Sequence, residues 1–130
     1  MDKKRILVVD DARTITALLK SKLEATGRYE VREENAGSKV VAVAREFHPD
    51  LVLLDIMMPD ADGGDVAAAF RADPLLRAIP IVFLTAAVTR EEVATKGGGA
   101  MTIRGRVFLA KPVNIDEVLT CLERQLATSR

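Results

Sequence analysis

The sequence predicts an α/β sandwich in which helices cover both faces of a buried parallel sheet. Short apolar runs without alternation, Ile6-Leu7-Val8-Val9, Leu51-Val52-Leu53-Leu54, Ile81-Val82-Phe83-Leu84 and Val107-Phe108-Leu109-Ala110, read as strands buried on both sides. Helical stripes lie between them, so strand and helix alternate along the chain. Each run also ends in a polar residue: Asp10-Asp11, Asp55, Thr85 and Lys111-Pro112 respectively. A parallel sheet delivers whatever follows its strands to one rim, and open α/β sheets bind ligands at that rim.

The first run follows directly on a basic opening, Lys3-Lys4-Arg5, and is four residues long before the two aspartates. Ile15, Leu18, Leu19 and Leu23 follow at helical spacing, with Asp11 as a candidate cap. Tyr29 to Glu33 alternates apolar and charged residues, the pattern of an edge strand. Val40, Val41, Ala44 and Phe47 form a second helical stripe ended by Pro49, which makes His48 a helix-end residue. Val66, Ala69 and Phe70 form a third, closed before Pro74. Asp60, Asp62 and Asp65 lack the terminal Glu of an EF-hand and read as loop and cap residues. A fourth helix begins at Glu91-Glu92-Val93-Ala94-Thr95, but Gly97-Gly98-Gly99 ends it almost at once, so it is expected to be short or irregular. Ile115, Val118, Leu119, Leu122 and Leu126 make the last stripe, with Asn114 as its cap and Cys121 as a half-buried thiol on its flank.

At 130 residues with 48% apolar content, the chain fits one domain, residues 1–130, with a core of its own. Nineteen basic residues balance nineteen acidic ones, so there is no basic excess of the kind that binds nucleic acid directly. Arg104 and Arg106 read as a solvated basic spot. The lone Cys121 suits a reducing compartment. The apolar run after the basic start is too short for a signal peptide or a membrane span, so a cytoplasmic protein with no membrane partner is expected.

The rim residues share a chemistry. Asp10, Asp11 and Asp55 gathered within a few ångströms would repel unless a cation joined them. Oxygen ligands around an open position suit Mg²⁺, which keeps several waters and contacts phosphate oxygens. A carboxylate can also be the nucleophile that forms an acyl phosphate. Phosphoryl transfer needs positioning and charge neutralisation above all, and Lys111 and the Thr85 hydroxyl are suited to one phosphoryl oxygen each. An aspartyl phosphatase is a second reading, but its Asp-x-Asp pattern after the first strand is absent: here the two aspartates are adjacent. A degenerate interaction module is a third, opposed by the complete set of Asp55, Thr85 and Lys111.

These residues resemble a known family. Asp10-Asp11, Asp55 followed by Met57-Met58-Pro59 and Asp62-Gly63, Thr85-Ala86 and Lys111-Pro112 are similar to the motifs of the receiver domain of bacterial two-component response regulators, from about Lys4 to Ala127. The resemblance implies a flavodoxin-like fold, a five-stranded parallel sheet of order 2-1-3-4-5 with five helices. It implies Asp55 as phosphoacceptor, with Thr85 and Lys111 assisting. It assigns Asp10, Asp11, Asp55 and the backbone carbonyl of Met57 to Mg²⁺, and Phe108 to a switch aromatic. The Lys111-Pro112 bond is expected to be cis. The implied protein is no enzyme in the ordinary sense but a signalling domain. It would take its phosphoryl group from a histidine kinase or phosphotransfer protein and act on a downstream protein target, as a monomer or a phosphorylation-dependent dimer. The stretch from Lys96 to Arg106 departs from the family pattern, and the apolar Met57 and Ala87 imply slow self-dephosphorylation.

Overall fold

The computed structural model describes residues 3–86, 100–103 and 106–128. The chain runs β1 (Lys4–Val9), α1 (Arg13–Glu24), β2 (Tyr29–Glu34), a 3₁₀ turn (Gly37–Lys39), α2 (Val40–Phe47) and β3 (Leu51–Asp55). A short hairpin of β4 (Met57–Met58) and β5 (Ala61–Asp62) leads into α3 (Gly63–Ala72). Then come β6 (Ile81–Thr85), β7 (Ala100–Ile103), β8 (Arg106–Ala110) and α4 (Ile115–Thr128). The four apolar runs are strands β1, β3, β6 and β8, and the alternating segment is β2.

Among the described residues the main sheet has the order β2-β1-β3-β6-β8-β7. The first five of these are mutually parallel and correspond to the expected 2-1-3-4-5 arrangement. The sixth was not anticipated: β7 adds an antiparallel edge, from Ala100 opposite Leu109 to Ile103 opposite Arg106. The expected fourth helix, at Glu91 to Thr95, lies outside the described residues.

Three layers follow from the strand pleat, which sends successive side chains to opposite faces. Ile6, Val8, Leu51, Leu53, Val82 and Leu84 pack with Leu19 and Leu23 of α1 and Val118 and Leu122 of α4. Leu7, Val9, Val52, Leu54 and Phe83 pack on the other side with Val40 of α2 and Val66 and Phe70 of α3. Because both faces are covered there, the inner strands β1, β3 and β6 show no polar alternation.

The helix ends agree in part with the sequence reading. Asn114 does cap α4, its Oδ1 accepting from Glu117 N at 3.1 Å. Asp62 caps α3 by accepting from Gly64 N at 2.6 Å. His48 closes α2 with left-handed backbone, φ 54°. Asp11 is not the cap of α1: the cap position is Ala12, with no side-chain bond. Asp11 is thereby left exposed at the rim. Cys121 is buried rather than half-buried, with 2% of its surface exposed, because α4 turns it fully onto the sheet.

Candidate functional site

Parallel register decides what meets at the rim. Val9 lies opposite Leu54, Asp55 opposite Leu84, and Thr85 opposite Ala110. The residues just past Val9 and Ala110 therefore emerge beside Asp55 and Thr85. Lys111 N donates to Thr85 O at 2.9 Å, which continues the β6–β8 ladder one step beyond the strand. The Lys111-Pro112 bond is cis.

The side chains converge. One carboxylate oxygen from each of Asp10, Asp11 and Asp55 lies within 4.8 Å of the others. Lys111 Nζ stands 2.7 Å from Asp10 Oδ2 and 3.4 Å from Asp55 Oδ1. Asp10 is fully buried, Asp55 and Thr85 are each 4% exposed, and Asp11 faces solvent. Two backbone donors hold the buried carboxylates: Ala12 N to Asp10 Oδ1 at 2.9 Å and Met57 N to Asp55 Oδ1 at 3.2 Å.

Electrostatics follow from that crowding. Burial raises the pKa of Asp55 and the nearby Asp10 charge adds to it, against the opposing pull of Lys111. Burial works against the Lys111 ammonium, but its contacts with Asp10 and Asp55 outweigh this and its pKa lies above the ordinary lysine value. Three carboxylates against one ammonium leave a local excess of negative charge. Asp10 Oδ2, buried and without a hydrogen bond, has only the ionic contact with Lys111. An all-oxygen set with such an unsatisfied buried oxygen fits a hard divalent cation such as Mg²⁺. Asp10, Asp11 and Asp55 form a cluster able to hold one.

Other named residues sit around this pocket. Met57 contributes its backbone beside Asp55, while its side chain is 77% exposed. It lines an open depression with Met58, Pro59, Asp11 and Asp62. Phe108 points to the α2–α3 face, half-buried, with its ring stacked on Phe83 at 5.3 Å. It is thus near the rim but not in contact with the acidic cluster among the contacts described.

One supporting residue escaped the sequence reading. Asn35 Nδ2 donates to the Asp10 carbonyl at 2.8 Å and to the buried Thr16 Oγ1 at 3.0 Å. Its Oδ1 accepts from Arg13 Nη1 at 3.4 Å. Asn35 follows directly on β2, so the strand-end rule applied to the edge strand as well would have found it. Asp60 is a second such residue, accepting from Gly37 N, Ser38 N and Ser38 Oγ at 3.0, 3.1 and 3.0 Å. It ties the β4–β5 hairpin to the 3₁₀ turn, where a Cβ on Gly37 would come within 2.6 Å of Ala61 Cβ.

A family model, the response regulator receiver domain, matches residues 6–123. The chain belongs to that family. The receiver is 30% identical over 124 residues to the polar-differentiation response regulator DivK of Brucella ovis, covering 95% of this chain and 96% of that protein. It is 40% identical over 116 residues to the response regulator PleD of Caulobacter vibrioides, covering 88% of this chain but 24% of PleD. In structure it resembles the chemotaxis response regulator CheY4 of Vibrio cholerae, with a TM-score of 0.76 at 25% identity over 95% and 98% of the two chains. A receiver of this kind is a two-component signalling domain that works through a phosphorylatable aspartate and is served by a histidine kinase. Among the described residues, no helix is long and apolar enough to cross a membrane.

Proposed function

We propose that Asp55 is the phosphoacceptor of this receiver. The carrying observation is its near-complete burial beside the Lys111 ammonium, with Asp10 and Asp11 within 4.8 Å. A carboxylate oxygen of Asp55 attacks the phosphorus of a phosphohistidine on a histidine kinase or phosphotransfer protein. The new O–P bond forms as the N–P bond breaks, and the departing imidazole takes up a proton. Asp10, Asp11, Asp55 and the Met57 carbonyl would hold Mg²⁺, which neutralises charge on the phosphoryl oxygens. Lys111 pairs with one phosphoryl oxygen, and the Thr85 hydroxyl donates to another. The Met57 N–H, already on Asp55 Oδ1, keeps that carboxylate oriented.

Phosphorylation adds about −1.5 to −2 charges and three acceptor oxygens at Asp55. Drawing Thr85 toward them moves the end of β6, which is paired through Lys111 N to β8. Phe108 on β8, stacked on Phe83 of β6, is placed to report that movement to the protein surface. Residues 1–130 act as a single receiver domain in the cytoplasm, with a protein as the downstream target. Slow self-dephosphorylation follows from the apolar Met57 beside the acceptor; Ala87, the other residue named for it, lies outside the described residues.

The deciding experiment is incubation with acetyl phosphate and Mg²⁺, read by intact mass. The wild type should gain one phosphoryl group, and Asp55→Asn or omission of the metal should abolish the gain. Phosphorylation of Asp55→Asn at the wild-type rate would overturn the assignment.

A further inference from the structure

A second charged feature lies on the α2–α3 face, away from the acidic pocket. Arg71 of α3, Arg77 in the turn after it and Arg106 of β8 line one cleft of about 150 Å³. Phe70 and Phe83 form part of its floor, and among the described residues none that lines it is a carboxylate. It sits toward the starts of β6 and β8, whereas Thr85 ends β6 and Lys111 follows the end of β8. Four residues of strand, roughly 13 Å, separate the two sites.

The pairing pattern of the arginines sets this cleft apart. Elsewhere in the described residues Arg5, Arg28, Arg32 and Arg45 each pair with a carboxylate. Arg13 reaches the Asn35 amide, and Arg124 is also engaged. Among the described residues, Arg71 and Arg77 have no such partner, and the contact of Arg106 is its guanidinium carbon 5.6 Å from the centre of the Phe83 ring. Arg71, Arg77 and Arg106 thus share this cleft with no acidic or amide partner among the described residues. The whole chain has a formal net charge of +0, so this is no consequence of a basic protein.

We propose that this cleft is a binding site for a phosphoryl group, distinct from the acidic pocket. Guanidinium groups bind phosphate oxygens through paired, charge-assisted hydrogen bonds, and three cations lining one cleft with no carboxylate among the described residues are relieved by a polyanion. A cleft of about 150 Å³ has room for one phosphoryl group and its bridging atom. A nucleotide would therefore seat its terminal phosphate in the cleft and leave its base at the mouth, since the rings of Phe70 and Phe83 are buried.

The test is an NMR titration of ¹⁵N-labelled full chain in metal-free buffer with EDTA, which keeps the acidic pocket from capturing phosphate through a cation. Inorganic pyrophosphate, ATP and a glutamate decapeptide are the probes. Pyrophosphate and ATP should both shift the Arg71, Arg77 and Arg106 Nε–H signals, and the double variant Arg71→Gln/Arg77→Gln should weaken both at least about tenfold. Arg32→Gln, distant and paired with Glu46, should leave binding unchanged. Equal affinities identify a site that reads the phosphoryl group alone, and tighter ATP binding a nucleotide site. Shifts with the glutamate peptide only, shifts indifferent to the double variant, or none at about 1 mM ligand overturn the proposal. Because no step involves Asp55, either result is independent of the phosphoacceptor assignment.

Discussion

Replacing Asp55 with asparagine is expected to stabilise the metal-free protein, although it removes one member of an ion pair. At an effective dielectric of about 20, the 3.4 Å separation from Lys111 contributes about 5 kcal/mol of attraction. Repulsion from Asp10, at 4.8 Å or less, takes back at least about 3.5 kcal/mol. The charges thus leave about 1.5 kcal/mol in favour of ionised Asp55, before Asp11 adds its own repulsion. Burial of a carboxylate costs several kcal/mol, and Asp55 is only 4% exposed. The raised pKa of Asp55, caused first by burial, has the same sign. Lys111 is not orphaned by the change, because it keeps Asp10 at 2.7 Å. The asparagine oxygen still accepts from Met57 N. The expected gain is about 1–2 kcal/mol at neutral pH, the remainder after these terms offset one another. Urea unfolding followed by circular dichroism in EDTA measures it directly. Saturating Mg²⁺ should narrow the difference, since a ligand of the native state stabilises the better binder more. An asparagine variant less stable than wild type in EDTA would show that the Lys111 pair dominates and that the pocket is not a strained acidic site.

Three further outcomes follow from the geometry. Asn35→Ala removes hydrogen bonds to the Asp10 carbonyl and Thr16; a loss of about 1–3 kcal/mol in urea unfolding is expected, with slower acetyl phosphate labelling as the Asp10–Asp11 turn loosens. Asp73 is held below the usual carboxylate range by the Leu75 N–H and then by Arg45. Its stabilisation is therefore full above a pH of about 4 and lost as the pH falls through the lower folded value; the thermal midpoint of Asp73→Asn should lie below wild type at neutral pH and converge with it on acidification. Burial pushes the Cys121 thiol up to about 11, so iodoacetamide at pH 8 should label it at the rate of unfolding, accelerated by urea, and fast labelling of the native protein would contradict the burial found here.

Much of the site was legible because it depends on strand ends. Apolar runs such as Ile6–Val9 and Leu51–Leu54 identify strands locally, and parallel connections return each of them in the same direction. Asp10, Asp55, Thr85 and Lys111 had therefore to arrive at one rim. The β7 strand was not legible: Ala100-Met101-Thr102-Ile103 is short, follows three glycines, and pairs with a neighbour that sequence periodicity does not reveal. Nor did a single exposed or buried pattern separate Asp10 from Asp11, which are adjacent but face opposite environments.

By itself the amino-acid order determined the layers, the parallel strand order once the family was recognised, and the set of groups offered at the rim. These rest on backbone periodicity and chain direction, both of which act over a few residues at a time. Tertiary structure alone decided that Lys111 sits closer to Asp10 than to Asp55. It also decided that Asn35 reaches across to the Asp10 carbonyl and that three arginines without an acidic partner among the described residues share a cleft. Charge pairing depends on distances of a few ångströms between groups remote in the chain, and those distances exist only once the helices have packed onto the sheet.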